Sequence, residues 1–381
     1  MQRRPWLIST TASLGAGLFL PGLRAQGNAI TLGQSAALTG PASALGEQFR
    51  RGALLQFDRV NARGGIGGRN IELVSLDDGY EPERCAANTR QFIERGVFAL
   101  FGYVGTPTSL AALPLATAAR LPFIAPFTGA EALRVPFNRY VFHVRASYFD
   151  ETAAIVKLLT SVGIQRVAVF HQNDSYGKAG LDGVVRALKA QQLEPAALGT
   201  VERNTVQVDE AVKAIVASNP GAIVMISAYS ACAAFIRTAR RAGYGGNFYN
   251  VSFVGTQALA NELAGDARGV VVSQVMPYPY SPQTALAGDY LAAGKAAEAA
   301  KGGTKFEPNY SSIEGYVAAR VLTEALRRPG ATASSDGMIT ALESLRELNL
   351  GGFFVDFSAQ KHTGSRFVDL TILSADGKVR R

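Results

Sequence analysis

The chain has 381 residues, 48% of them hydrophobic and 18% charged, a length that allows two or three domains and a balance that excludes a disordered chain. Forty glycines against 16 prolines, without a three-residue period, exclude a collagen-like fibre and fit a fold with many tight turns. The formal charge of +8 falls to +5 once Arg3, Arg4 and Arg24 of a removable leader are taken away, and the rest is scattered in pairs such as Arg50-Arg51, with no basic stripe for nucleic acid.

The leader opens the chain. Arg3 and Arg4 form a positive start, Leu7 to Leu20 an apolar stretch, and Leu23-Arg24-Ala25 a small-residue cleavage pattern. This is an export signal over residues 1–25, too short to span a membrane. Its Arg-Arg-Pro-Trp-Leu also fits a twin-arginine signal, and ordinary export signals share that feature. The expected location is a bacterial periplasm, with no membrane insertion after cleavage.

Strands and helices then alternate. Ala29 to Ala37 reads as a strand, and Phe49, Ala53, Phe57 and Val60 mark a helix. The turn Gly64-Gly65-Ile66-Gly67-Gly68 leads into a strand at Ile71 to Leu76, which ends at Asp77-Asp78. A helix near 83–95, a strand at 97–101, a helix at 107–120 and a strand at 122–125 follow. From Ser147 the alternation restarts. Helices are marked by Ile155, Leu158 and Leu159, by Leu181, Val184 and Leu188, and by Val208, Ala211 and Ile215. Strands fall at 166–170, 196–201, 222–227 and 269–275. Two such runs predict an α/β fold of two doubly wound lobes, with parallel sheets covered on both faces. The stretch Pro277-Tyr278-Pro279-Tyr280 reads as a crossing, and the final strand-like runs, 352–357 and 366–373, as a pair joined through His362-Thr363-Gly364. Residues 26–145 plus 278–349 are assigned to lobe 1, and 146–277 plus 350–381 to lobe 2, hinged around a cleft.

Motifs of enzymes and metal sites fail one after another. His143, His171 and His362 lack metal-pair spacing, and the glycine cluster at 64–68 follows a helix and precedes a strand, the reverse of a phosphate-cradling turn. Ser175-Tyr176-Gly177-Lys178 lacks the partner motifs of penicillin-binding enzymes, and Ser175 reads as a helix cap. No catalysis and no cofactor are expected. Cys85 and Cys232 read as buried free thiols rather than a disulfide, Cys232 by its helical spacing with Phe235, Ile236 and Ala239.

The run Gly102 to Ser109 stands out. Thr106 reads as an N-cap and Pro107 as the first helical residue, so free N–H groups, the helix dipole and the hydroxyls of Thr106 and Thr108 would face the cleft and hold an anion such as a ligand carboxylate. An ordinary capped helix is the plain alternative. Position favours a site, because ligands of open parallel sheets bind beyond the carboxyl ends of the strands. At corresponding strand ends of the second run, Tyr176 and Tyr229 would close over a ligand.

The export signal, Leu38-Thr39-Gly40-Pro41-Ala42, the glycine turn before Ile71-Glu72-Leu73-Val74, Asp77-Asp78 and Tyr176-Gly177 together resemble the periplasmic binding proteins of branched-chain amino-acid ABC importers. The resemblance covers the mature chain. It implies the type I periplasmic-binding fold, capture of a small-molecule ligand by hinge closure, and delivery to an ABC permease powered by ATPase subunits, with the binding protein a monomer. Carried over residue by residue, the family's hydroxyl loops match Thr106 to Thr108 and Thr128-Gly129, its cleft tyrosines Tyr176 and Tyr229, and a pocket-lining aromatic position Leu45. The acid that holds a ligand ammonium falls at Ser252 or Phe253, where no carboxylate stands. The expected ligand is therefore either a hydrophobic amino acid whose ammonium another acid reaches, or an aromatic or aliphatic carboxylate or amide. A sensor of the same fold that signals to a receptor is the alternative to an importer subunit.

Overall fold

The computed structural model describes residues 29–300 and 302–381; the export signal lies outside them. The first lobe is a five-stranded parallel sheet in the order β2-β1-β3-β4-β5. Its strands are β1 (Ile30–Ala36), β2 (Ile71–Asp77), β3 (Ala99–Phe101), β4 (Phe123–Ile124) and β5 (Val141–Phe142). The helices α1 (Ser43–Asn61), α2 (Pro82–Glu94) and α3 (Thr106–Ala118) connect them. The order steps one way from β1 to β2 and back the other way through β3, β4 and β5. With right-handed crossovers, α1 must then cover one face and α2 and α3 the other. Two hydrophobic clusters match those faces: one includes Phe49 and Phe57 of α1, the other Cys85 and Phe92 of α2 with Ala112 and Ala116 of α3.

The second lobe repeats the device. It contains α4 (Tyr148–Ser161), β6 (Val167–Gln172), α5 (Ser175–Lys189), β7 (Leu198–Val201), α6 (Asp209–Ala217), β8 (Ala222–Ile226), α7 (Tyr229–Arg241), β9 (Asn247–Asn250), α8 (Thr256–Leu263) and β10 (Val270–Gln274). The chain then returns to the first lobe with α9 (Ala285–Ala299), α10 (Tyr310–Leu326), α11 (Ser335–Glu343) and a small hairpin, β11 (Leu348–Asn349) with β12 (Phe354–Val355). It ends in the second sheet with β13 (Asp369–Leu373) and β14 (Val379–Arg380). That seven-stranded sheet runs β14-β13-β10-β9-β8-β6-β7, with β13 alone reversed and antiparallel to both its neighbours, β10 and β14.

The strands and helices read from sequence stand at their places, while β5 and β9 escape notice because β5 is two residues long and β9 carries asparagines at both ends. The two final strand-like runs do not pair with each other: β12 pairs with β11, and β13 with β10. The return crossing also lies later than residue 350. Phe357 packs edge-on against Phe142 of the first sheet, and its N–H donates to the Leu345 carbonyl, so residues 350–357 sit with the first lobe. The Pro/Tyr segment stays on the second lobe, Tyr278 Oη donating to the Val379 carbonyl.

Cys85 and Cys232 are free and fully buried, and burial pushes both thiols well above their ordinary range. The folded protein is expected to react with a thiol reagent only at the rate of its unfolding, both cysteines becoming reactive together in denaturant. Fast labelling of the native protein would contradict this placement.

Candidate functional site

Both sheets reverse strand order between a central pair, β1/β3 and β6/β8, which is where open α/β sheets place ligands, at the carboxyl ends of the strands. The loops that follow these ends in the two lobes face one another. On the first lobe, the loop after β1 is clamped by Asp77, which accepts from the Leu38 and Thr39 N–H groups and the Thr39 hydroxyl. Against the cost of partial burial, these bonds hold the Asp77 carboxyl down at about 2. The motif residues Thr39 and Asp77 thus shape the loop that leads to Leu45.

The start of α3 differs in detail from the sequence expectation. Gly105, not Thr106, occupies the cap position, with φ of 102° and its Cα so close to the Tyr80 ring that a Cβ would overlap it. Thr106 is the first helical residue, and its hydroxyl lies 2.6 Å from that of Thr128. Thr108 turns away: its hydroxyl donates to the Val104 and Gly105 carbonyls, so it is not free for a ligand. Thr128 also receives the Ala130 N–H, and the Gly129 carbonyl receives the Tyr148 N–H. Thr106, Thr128 and Gly129 therefore form one buried hydroxyl-lined wall.

On the second lobe, the start of α5 is capped by Asp174, which accepts from the Tyr176 and Gly177 N–H groups; the cap expected of Ser175 belongs to its neighbour. This cap sends Tyr176 inward. Its ring lies 5.5 Å from that of Tyr148 and 4.7 Å from that of Phe253, and its hydroxyl is buried without a hydrogen-bond partner among the described residues. Phe253 in turn meets Tyr80 at 5.9 Å and Phe127 at 5.5 Å. Four aromatic rings from both lobes thus surround Phe253 or its neighbours, an apolar box next to the threonine wall. Leu45 and Tyr229 sit toward the edge, where both approach Gly255, and the Tyr229 hydroxyl accepts the Ala44 N–H across the lobes at 3.4 Å.

The floor of the cleft holds charges that sequence reasoning missed. Arg145, on the crossing after β5, is 1% exposed, and its Nη2 donates to Glu151 at 3.1 Å and to the Ser252 hydroxyl. Its Nη1 lies 3.4 Å from Glu314 of α10. The guanidinium also lies over the ring of Phe127, 5.2 Å from its centroid. Glu151 accepts additionally from the Ser252 N–H at 2.7 Å, the Ser252 hydroxyl at 3.0 Å and the Ser273 hydroxyl at 2.6 Å. A buried carboxylate from α4 therefore stands beside Ser252, although it lies more than a hundred residues away in the chain. Burial pushes Glu314 up to about 7, against the pull of Arg145. A glutamate standing as the single charged residue in the stretch Tyr310 to Ala319 of α10 is the signal that could have found it.

The lobes also touch at the rim. Arg203 pairs with Glu81 at 2.7 Å, Asn204 donates to the Gly79 carbonyl and to Glu81, and the Ser230 hydroxyl donates to the Pro41 carbonyl. Gln172 donates to the Tyr80 hydroxyl at 3.3 Å. Among the described residues, no three His, Cys, Asp or Glu side chains gather to hold a metal ion.

A sequence profile described as "Periplasmic binding protein" matches residues 29–378. Among solved structures, a possible leucine/isoleucine/valine-binding protein from Rhodopirellula baltica superposes with a TM-score of 0.87 at 34% identity, covering 93% of this chain and 96% of that one. A substrate-binding periplasmic protein from Ralstonia solanacearum gives 0.86 at 32% identity, covering 92% and 99%. The leucine-specific-binding protein of Salmonella typhimurium is 23% identical over 262 residues, 68% of this chain and 70% of that protein.

Proposed function

From the premise that this chain belongs to the periplasmic binding protein family, we propose that it is the exported solute-binding component of an ABC importer, capturing a hydrophobic amino acid between its lobes. The observation that carries this reading is the convergence, from both lobes, of the Thr106–Thr128 wall, the aromatic box around Phe253 and the unpartnered hydroxyl of Tyr176. The names of the three relatives above, binding proteins for leucine-like amino acids or for an unspecified substrate, point the same way.

In the mechanism, the open lobes bind the ligand carboxylate at the first turn of α3, whose N–H groups lack intrahelical partners, together with the hydroxyls of Thr106 and Thr128. Phe127, Phe253 and Tyr148 bury the apolar side chain. Closure brings Tyr176 of the second lobe onto the ligand, and because those contacts exist only in the closed form, the ligand shifts the population toward it. The rim contacts of Arg203, Asn204 and Ser230 close with it and present a joined surface to the permease.

The test is thermal unfolding of the mature protein, freed of carried ligand by unfolding and refolding, against leucine-like and aromatic amino acids. A ligand at a hundred times its dissociation constant adds about 2.7 kcal/mol and raises the midpoint by a few degrees. Thr128→Val is expected to weaken binding by about tenfold or more, as a hydrogen bond to a charged group is lost, and also to lower the unliganded midpoint by a few degrees, because the buried Thr106 hydroxyl and Ala130 N–H lose their partner. Absence of any midpoint shift across the panel, or full affinity in Thr128→Val, would count against the cleft.

A further inference from the structure

We propose that Phe253 is a built-in occupant of the cleft, a ring that sits where the ligand's side chain must go, and that the ligand which displaces it carries a single aromatic ring. The inference rests on the cleft reading above and names the substrate class of that cleft. Phe253 stands on the short turn Ser252–Val254 between β9 and α8, so it is carried by the second lobe. Two of the rings it touches, Tyr80 at 5.9 Å and Phe127 at 5.5 Å, belong to the first lobe, and the third, Tyr176 at 4.7 Å, to the second. Phe253 therefore spans the cleft instead of lining one side of it.

The packing around this ring is complete. Tyr80, Thr106, Thr128, Tyr176 and Phe253 are wholly buried, and Phe127 exposes 1%. No gap as wide as a water molecule separates them, so the two walls meet through Phe253 itself. Its planes are inclined at 38° to Tyr80, 43° to Phe127 and 59° to Tyr176, the separations and tilts that aromatic pairs favour. Closure thus has two fillings, Phe253 or a ligand side chain, and each excludes the other. Opening withdraws Phe253 with its lobe and bares the faces of Tyr80 and Phe127, and a ligand seated there first keeps the ring from returning. Molecules closed on Phe253 cannot bind, so they lower the apparent affinity in proportion to their share.

The exchange selects the ligand. Whatever replaces Phe253 must refill the volume of one phenyl ring and restore its contacts with Tyr80, Phe127 and Tyr176. Another single ring does both. A branched aliphatic chain forfeits the ring pairing and leaves part of the volume unfilled. An indole exceeds that volume, against walls made of side chains that are themselves fully packed.

The experiment is isothermal titration with phenylalanine, leucine and tryptophan, joined to small-angle X-ray scattering, on mature wild type, Phe253→Ala and Thr128→Val, each freed of carried ligand. Wild type is expected to bind phenylalanine about tenfold more tightly than leucine or tryptophan. Phe253→Ala, which has no occupant of its own, should bind phenylalanine about tenfold more tightly again and admit tryptophan. By scattering, wild type should be compact with and without phenylalanine, whereas Phe253→Ala alone is expanded and contracts when phenylalanine is added. A Phe253→Ala affinity equal to or below that of wild type, while Thr128→Val is impaired, makes Phe253 a wall rather than a competitor and overturns the occupant. Leucine or tryptophan preferred by wild type overturns the ring class; either result leaves the cleft intact. No binding to wild type and Phe253→Ala alike, or full affinity in Thr128→Val, counts against the cleft itself. Should Phe253→Ala fail to fold, Phe253→Leu, which fills the core without a ring, is expected to give the same signs, and wild type that contracts on adding phenylalanine is fatal in either case.

Discussion

Replacing Arg145 with methionine is expected to destabilise the unliganded protein by about 3–5 kcal/mol, the cost of leaving a buried charge without its partner. Glu151 would keep the donors from Ser252 and Ser273, but Glu314 would keep none. The effect should also depend on pH. A glutamate has an ordinary value of 4.5, and burial raises Glu314 to about 7 even with Arg145 beside it. Between those values the folded protein holds a proton that the unfolded chain has released, so stability falls as pH rises through that window and stays low above it. Without the guanidinium the folded value moves further up, so the deficit of Arg145→Met should be smaller at pH 5 than at pH 8. Adding Glu314→Gln removes the unpaired charge and should recover part of the loss, making the double variant more stable than the single one at pH 8. Unfolding followed by circular dichroism at both pH values checks each statement. A variant as stable as wild type at pH 8 would show that the cluster is not held ionised.

How much of this was legible in the sequence follows from which interactions are local. The two-lobe architecture was, because strand and helix periodicity is a property of neighbouring residues, and so was the place of Thr106 after β3, whereas Thr128, which closes the next strand and lies against it, came from the family resemblance. Tyr176 was legible for the same reason, standing just after β6. The charged floor was not. Arg145, Glu151 and Glu314 come from a crossing, a first helical turn and a helix of the returning segment, and only the tertiary fold brings them together. Glu151 in particular has a local disguise: it follows Ser147 and Asp150, a capping box, where acids are ordinary company for the helix dipole. The hydroxyl of Thr108 failed as a cleft donor because a helical threonine can satisfy itself on the preceding turn.

The second large effect is expected from a single methyl group. Glycine-to-alanine in the middle of a helix ordinarily stabilises it by up to about 1 kcal/mol. At Gly52 of α1 the sign should reverse, with a loss of about 3 kcal/mol. A Cβ there would stand 1.7 Å from the carbonyl oxygen of Ser312, and reciprocally one on Gly315 of α10 would stand 2.0 Å from that of Phe49. These are backbone atoms inside two helices, so no side chain can rotate away and the helices must part. Their parting has a functional consequence. Phe49 packs 5.3 Å from Phe127, which walls the cleft, and Glu314 precedes Gly315 on the same turn of α10. Gly52→Ala should therefore lose ligand affinity as well as stability, although residue 52 lies outside the cleft. Gly288→Ala in α9 is the control: its Cβ would meet only the Pro282 side chain, at an ordinary 3.7 Å, so the helical gain should appear there undiminished. Equal midpoints for the two variants would mean that α1 and α10 do not need their close approach, and that the cleft floor is positioned by the crossing segments alone.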